Sequence, residues 1–143
     1  MRTAEVVRNT AETQIELRLN LDGGEKGRID TPCGFLNHML TLFCHHGRFC
    51  VDLKASGDVE VDYHHLTEDV AIVLGKAFSK ALGEKRGIFR YGEATIPMDE
   101  ALISVYLDLS GRAGYYGNLS IPAQKVGDFD TELVDEFLTA LCR

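Results

Sequence analysis

The sequence predicts an α+β fold built from two related halves, the second of them incomplete. Three observations point there: a stretch of strict period-two alternation, a helical apolar period following a His-His-x-x-Glu run, and a recurrence of the first half within the second. At 143 residues the chain is one ordinary domain with enough length to bury a core. With 45% hydrophobic and 26% charged residues it is neither disordered nor membrane-like. No apolar run is long enough to span a bilayer, and Met1 to Glu5 lack the apolar segment of a signal peptide, so a cytoplasmic protein is expected. A net charge of −7 argues against nucleic acid or an anionic membrane as the main partner, although a few local arginines suffice to hold one phosphate. Cys33, Cys44, Cys50 and Cys142 have no Cys-x-x-Cys spacing and read as reduced thiols, with Cys44 and Cys142 expected in core helices.

In order, Ile15, Leu17, Leu19 and Leu21 alternate with Gln14, Glu16, Arg18 and Asn20, which predicts a half-buried strand over 13–21. Asp22-Gly23-Gly24 is a turn signal, and a short extended piece follows around Gly27 to Asp30. Thr31-Pro32 introduces a helix that contains His38 and runs to Cys44 or beyond. Cys50 to Ala55 and Val59 to Val61 read as two short strands joined through Ser56-Gly57-Asp58. Leu66, Val70, Val73, Leu74, Ala77 and Ala81 then recur at helical spacing, predicting a helix from His64 to about Leu82 that Gly83 caps.

The second half resembles the first. Glu12 to Gly23 aligns with Glu100 to Gly111 at an offset of 88, pairing Ile15, Leu17, Leu19 and Leu21 with Ile103, Val105, Leu107 and Leu109. Phe35 to Leu40 aligns with Leu133 to Leu138 at an offset of 98. Two such segments in the same order favour a duplication over chance similarity of amphipathic segments. The expected division is a first repeat over 1–88 and a partial second repeat over 89–143. Thr131 to Arg143 supplies a helix there, while a counterpart of His65 would fall beyond the last residue.

The five histidines form two groups, His38, His45 and His46 in one and His64 and His65 in the other. His64 and Glu68 stand at i and i+4, and His65 and Glu68 at i and i+3, so they neighbour one another on a helix surface. Mixed nitrogen and oxygen donors suit a transition ion such as Mn, Fe, Co or Zn better than Ca or Mg. The competing reading is a polar helix start, and for His38 a hydrogen-bonded surface histidine. Two histidine-bearing helices in so short a chain favour a shared site.

These motifs carry a resemblance. Arg8-Asn9-Thr10-Ala11-Glu12-Thr13, Gly34-Phe35-Leu36-Asn37-His38-Met39-Leu40, His64-His65-Leu66-Thr67-Glu68-Asp69, Ala81 to Ile88, Pro97-Met98-Asp99-Glu100-Ala101-Leu102 and Asp108-Leu109-Ser110-Gly111-Arg112 closely resemble the imidazoleglycerol-phosphate dehydratase family, over nearly the whole chain. The resemblance implies a two-layer fold like ribosomal protein S5 domain 2, each half a four-stranded sheet with two helices on one face. It also implies a manganese-dependent hydro-lyase of histidine biosynthesis that assembles from trimers into a cubic shell, with active sites between subunits. Residue by residue, His38, His64, His65 and Glu68 match the metal ligands, and Glu12 a substrate-contacting glutamate. Arg90 and Arg112 match phosphate-side arginines, and His46 a histidine ending the substrate-lining helix; His45 matches none. The implied chemistry removes a C–H proton from the side chain next to the imidazole ring and expels the neighbouring hydroxyl. A Lewis acid on the ring nitrogen favours the imidazolate for that step, and the step needs acid/base groups and fixed positive charge as well.

Glu12 is the expected acid/base residue, with Glu68 held as a ligand and a secondary catalytic candidate; the bland reading of Glu12 is an exposed strand-start carboxylate. Surface ion pairing is the bland reading of Arg90 and Arg112, and Lys85-Arg86 reads as solvated charge. Two departures from the family stand out. Asn37 replaces the usual aspartate before His38, where a carboxylate could orient an imidazole. A second His-His-x-x-Glu helix is absent from these residues, which leaves about half the ligand set. A catalytically silent metal-binding or assembly form is therefore the alternative, and a metal-dependent hydrolase is weaker because no nucleophile motif accompanies the histidines.

Overall fold

Why the alternating stretch folds as it does is plain from its partners. The computed structural model describes residues 1–143, and in it Thr13–Asn20 (β2) pairs antiparallel with both Thr3–Asn9 (β1) and Cys50–Gly57 (β4). Ile15 sits opposite Ala55, Leu17 opposite Leu53 and Leu19 opposite Val51. All six are buried on one face, while Glu16, Arg18, Asp52 and Lys54 turn outward. Ile29–Asp30 (β3) adds a parallel edge, giving the order β1-β2-β4-β3.

Helices Gly34–Gly47 (α1) and His64–Leu82 (α2) supply the second layer. Leu66, Val70, Val73, Leu74 and Ala77 of α2 are almost wholly buried in one core with the inner sheet face and with Leu36 and Leu40 of α1. Asp62 accepts the His64 amide at 2.7 Å and satisfies one orphan N–H of the first turn. Gly83 ends the helix at φ 53, in the left-handed region that favours glycine. Leu133–Leu141 (α3) packs along α2, its backbone so close that a Cβ on Gly75 would lie 2.3 Å from the Leu141 carbonyl oxygen.

These elements belong to one compact unit, Met1–Leu82 with Gly114–Arg143, which also contains the short hairpin Lys125–Val126 (β7) and Phe129–Asp130 (β8). The other unit, Gly83–Ala113, is the antiparallel hairpin of Tyr91–Met98 (β5) and Ala101–Asp108 (β6). Both of its strands are exposed throughout, including Ile96, Met98, Ile103 and Val105. No helix is long and apolar enough to cross a membrane.

Three local expectations are corrected. Cys50 to Gly57 is one strand, and Val59 to Val61 lies in the turn before α2 rather than in a second strand; with Val61 69% exposed, only Val59 of the three-residue alternation packs against the core, too little to hold a strand. β1 lies outside the predicted elements, because adjacent Val6 and Val7 break the period-two signal. Cys142 caps the end of α3 and is exposed, whereas Cys33 is the fully buried cysteine.

Candidate functional site

The first turn of α2 presents His64 and Glu68 one helical turn apart, with His64 Nε2 3.7 Å from Glu68 Oε2. Across the packed pair of helices α3 adds Glu136. One ligand atom from each of His64, Glu68 and Glu136 lies within 4.8 Å of the others, the spacing of side chains able to share an ion. All three are half-buried. The other Glu68 oxygen accepts from Arg143 Nη1 at 3.0 Å, so a cation is already drawn to this carboxylate. An imidazole with two carboxylates suits a borderline divalent ion such as Mn, Fe or Zn, and the donor set fits the implied metal.

His65 is held differently. Its Nδ1 lies 2.8 Å from Asp58 Oδ2, and because an ionised carboxylate only accepts, Nδ1 carries the proton and, in the neutral ring, Nε2 is left with a free lone pair. The hydrogen bond to Asp58 raises the His65 pKa above its ordinary 6.5, with the charges of Asp58, Glu12 and Asp62 adding to the effect. The other Asp58 oxygen, Oδ1, is buried without a hydrogen-bond partner.

Glu12 sits on the turn between β1 and β2, exposed, with its backbone N–H donating to Thr10 Oγ1 at 3.2 Å. His38 lies on an exposed face of α1, and His45 and His46 end that helix with their rings 5.1 Å apart. Within this chain neither His38 nor His65 joins the His64, Glu68 and Glu136 group.

Asn37 points elsewhere than to an imidazole. Its Oδ1 accepts from the Thr31 amide (3.0 Å) and hydroxyl (2.7 Å), and its Nδ2 donates to the Thr31 carbonyl (2.8 Å). The side chain therefore staples the entry to α1, a task needing both donor and acceptor, which a carboxylate cannot perform.

In the unit Gly83–Ala113, Arg90 makes a forked ion pair with Asp108 (Nε to Oδ1 2.7 Å, Nη2 to Oδ2 3.2 Å) and lies 5.0 Å over the Tyr91 ring. Arg112 is exposed at the end of the same unit, its backbone N–H donating to Ser110 Oγ.

Glu136 was absent from the ligands expected from sequence, yet a signal for it exists. The offset of 98 that relates α1 to α3 places His38 on Glu136. α1 and α3 thus carry a ligand-type side chain at matching positions of the two aligned segments.

The imidazoleglycerol-phosphate dehydratase family model matches residues 31–143. The chain is 54% identical over 141 residues to imidazoleglycerol-phosphate dehydratase of Bacillus subtilis, covering 99% of this chain and 73% of that protein. It is 51% identical over 140 residues to that of Geobacter sulfurreducens, covering 98% and 72%. Among solved structures, imidazoleglycerol-phosphate dehydratase from Staphylococcus aureus N315 superposes with a TM-score of 0.87 at 40% identity, over 98% of this chain and 77% of that one. The Pyrococcus furiosus enzyme in complex with (S)-C348 gives 0.78 at 35% identity, over 95% and 72%. With matched residues spanning nearly its full length at these identities, the chain belongs to the imidazoleglycerol-phosphate dehydratase family.

Proposed function

We propose that this chain acts as a metal-dependent hydro-lyase of histidine biosynthesis, dehydrating imidazoleglycerol phosphate to imidazoleacetol phosphate. The observation that carries the reading is the convergence of His64, Glu68 and Glu136 at the packed start of α2 and α3, in a member of this family. His64, Glu68 and Glu136 would hold Mn²⁺, and His38 and His65, which stand outside that group within one chain, would serve as ligands only where a second copy brings them to it. The free Nε2 of His65, oriented by Asp58, is suited to that task. Bound there, the ion supplies Lewis-acid polarisation of the substrate's imidazole.

The remaining work falls to the chain's own side chains. Glu12 takes the C–H proton from the middle carbon of the glycerol chain and returns a proton to the hydroxyl on the ring-bearing carbon, which leaves as water; the enol so formed at the middle carbon becomes the ketone. Arg90 and Arg112 supply positive charge for the phosphate, Arg90 exchanging part of its pairing with Asp108 for phosphate oxygens. His46 lines the substrate site. The apolar residues exposed on the β5–β6 hairpin support a homo-oligomer, in which a second copy covers them. The four free cysteines suit a reducing compartment such as the cytoplasm.

The test is turnover with added Mn²⁺ together with metal per chain by equilibrium dialysis. The reading expects metal-dependent release of imidazoleacetol phosphate, abolished in His65→Ala. Full metal occupancy without turnover would sink it, and sedimentation as a monomer would remove the assembly part.

A further inference from the structure

The carboxylate next to Glu68 has a different environment from Glu68 itself. Successive helical residues are about 100° apart, so while Glu68 faces the ligand cluster, Asp69 turns inward against the sheet, 7% exposed. There its Oδ1 accepts from Arg8 Nε at 2.9 Å and lies 2.9 Å from Arg8 Nη2, and its Oδ2 accepts from the Thr13 hydroxyl at 2.5 Å. Thr13 is itself buried, at 2% exposure.

The chain of hydrogen bonds continues in one direction. Thr13 spends its only hydroxyl proton on Asp69, so in its 3.1 Å contact with Thr10 Oγ1 the Thr10 hydroxyl is the donor. Thr10 Oγ1 in turn accepts from the Glu12 and Thr13 amides, at 3.2 and 3.0 Å. The Thr10 amide donates to the Thr13 carbonyl at 2.8 Å and closes the turn. A carboxylate buried on α2 thereby sets the direction of both hydroxyls, and Thr10 Oγ1 in turn holds the Glu12 and Thr13 amides of the turn that carries Glu12. Charge-assisted bonds of this kind are the strong ones, and leaving any member unpaired in a buried setting is costly.

We propose that Asp69 is a positioning residue for Glu12, acting through Thr13 and Thr10 to fix the Glu12 turn against the helix that bears His64, His65 and Glu68. The inference rests on the role given to Glu12 under the proposed function. No contact of Asp69 with substrate or metal is involved.

Thr13→Val keeps the volume and removes the relay, while Thr13→Ser keeps the hydroxyl. In the full chain with Mn²⁺, Thr13→Val lowers kcat by about ten- to a hundredfold, as small misplacements of a reacting group do, with KM within about threefold. Thr13→Ser restores the rate, Mn²⁺ affinity is unchanged in both, and Thr13→Val has no further effect in a Glu12→Gln background. Independently of turnover, amide exchange at Glu12 accelerates in Thr13→Val while α2 amides keep their protection. If Thr13→Val fails to fold, Thr10→Ala cuts the same relay at a half-buried site and gives the same pattern. The inference is overturned by unaltered kcat or unaltered Glu12 exchange in the folded variant, by equal loss in Val and Ser variants, or by additive loss with Glu12→Gln. A fully active Glu12→Gln would instead remove the Glu12 reading, and the positioning role with it.

Discussion

Gly75→Ala sets helix propensity against packing at one position of α2. In an exposed helix interior the change stabilises by about 1 kcal/mol, since alanine loses less backbone entropy. Here the new Cβ would stand 2.3 Å from the Leu141 carbonyl oxygen and 3.2 Å from its carbonyl carbon. Neither atom belongs to a side chain that can rotate away, so α3 has to move by about 1 Å to restore ordinary contact. Overpacking of this kind costs about 1–3 kcal/mol, and a backbone obstacle belongs in the upper half of that range. The net expectation is destabilisation by about 1–2 kcal/mol, a Tm lower by roughly 3–8 °C. Because α3 carries Glu136 to His64 and Glu68, Mn²⁺ binding should weaken as well. Urea unfolding with calorimetric titration of Mn²⁺ measures both. A variant more stable than wild type by about 1 kcal/mol would refute the packing argument, and lower stability with unchanged metal affinity would refute the link to Glu136.

Glu136→Gln keeps the shape of α3 and removes one carboxylate ligand; Mn²⁺ affinity, read by titration or by electron paramagnetic resonance, should fall at least the roughly 10–100-fold that loss of an outer-shell partner costs. Asn37→Asp places a second acceptor against the Thr31 carbonyl in place of the 2.8 Å donor and should destabilise by about 1–3 kcal/mol in chemical denaturation, with no gain in metal affinity. His65 should titrate above 6.5 by NMR and return towards that value in Asp58→Asn. Since the folded value is the higher one, the stabilisation by this pair is complete below the unfolded pKa and is lost as pH rises through the folded value; stability that instead grew with pH over that window, in wild type relative to Asp58→Asn, would contradict the assignment.

Much of this was legible in the residues, and the failures are physically specific. Ile15, Leu17 and Leu19 announce a half-buried strand because alternate side chains leave on opposite faces, and the sheet uses that face. The period from Leu66 to Ala81 and the glycine at 83 delimit α2 to the residue, since both core periodicity and cap are local. β1 carries no such mark: Ala4 and Val6 are only partly covered, Val7 is 55% exposed, and the strand exists because β2 offers it a ladder. Asn37 reads as a weakened stand-in for an imidazole-orienting aspartate because its actual partner, the Thr31 backbone, appears only once the chain has turned into α1. The hairpin of β5 and β6 keeps the apolar alternation of its counterpart, yet Ile103, Val105 and Leu107 are exposed where Ile15, Leu17 and Leu19 are buried. Pattern predicts which face seeks cover and is silent on what covers it.

The start of α2 ties the His64, Glu68 and Glu136 group to the turn that carries Glu12 through two adjacent acids. Glu68 and Asp69 are consecutive, so helix geometry sends one carboxylate to solvent-side partners, His64, Glu136 and Arg143, and the other to the sheet-side partners Arg8 and Thr13. A rotation of α2 about its own axis that improved one set would break the other. The two sets therefore fix the roll of the helix more tightly than apolar packing alone, because hydrogen bonds to charged groups are directional and apolar contacts are not. That constraint also reaches Glu12, whose turn hangs on Thr13. Sequence adjacency of Glu68 and Asp69 is thus what couples the His64 and Glu136 side of α2 to the Glu12 turn of the first hairpin.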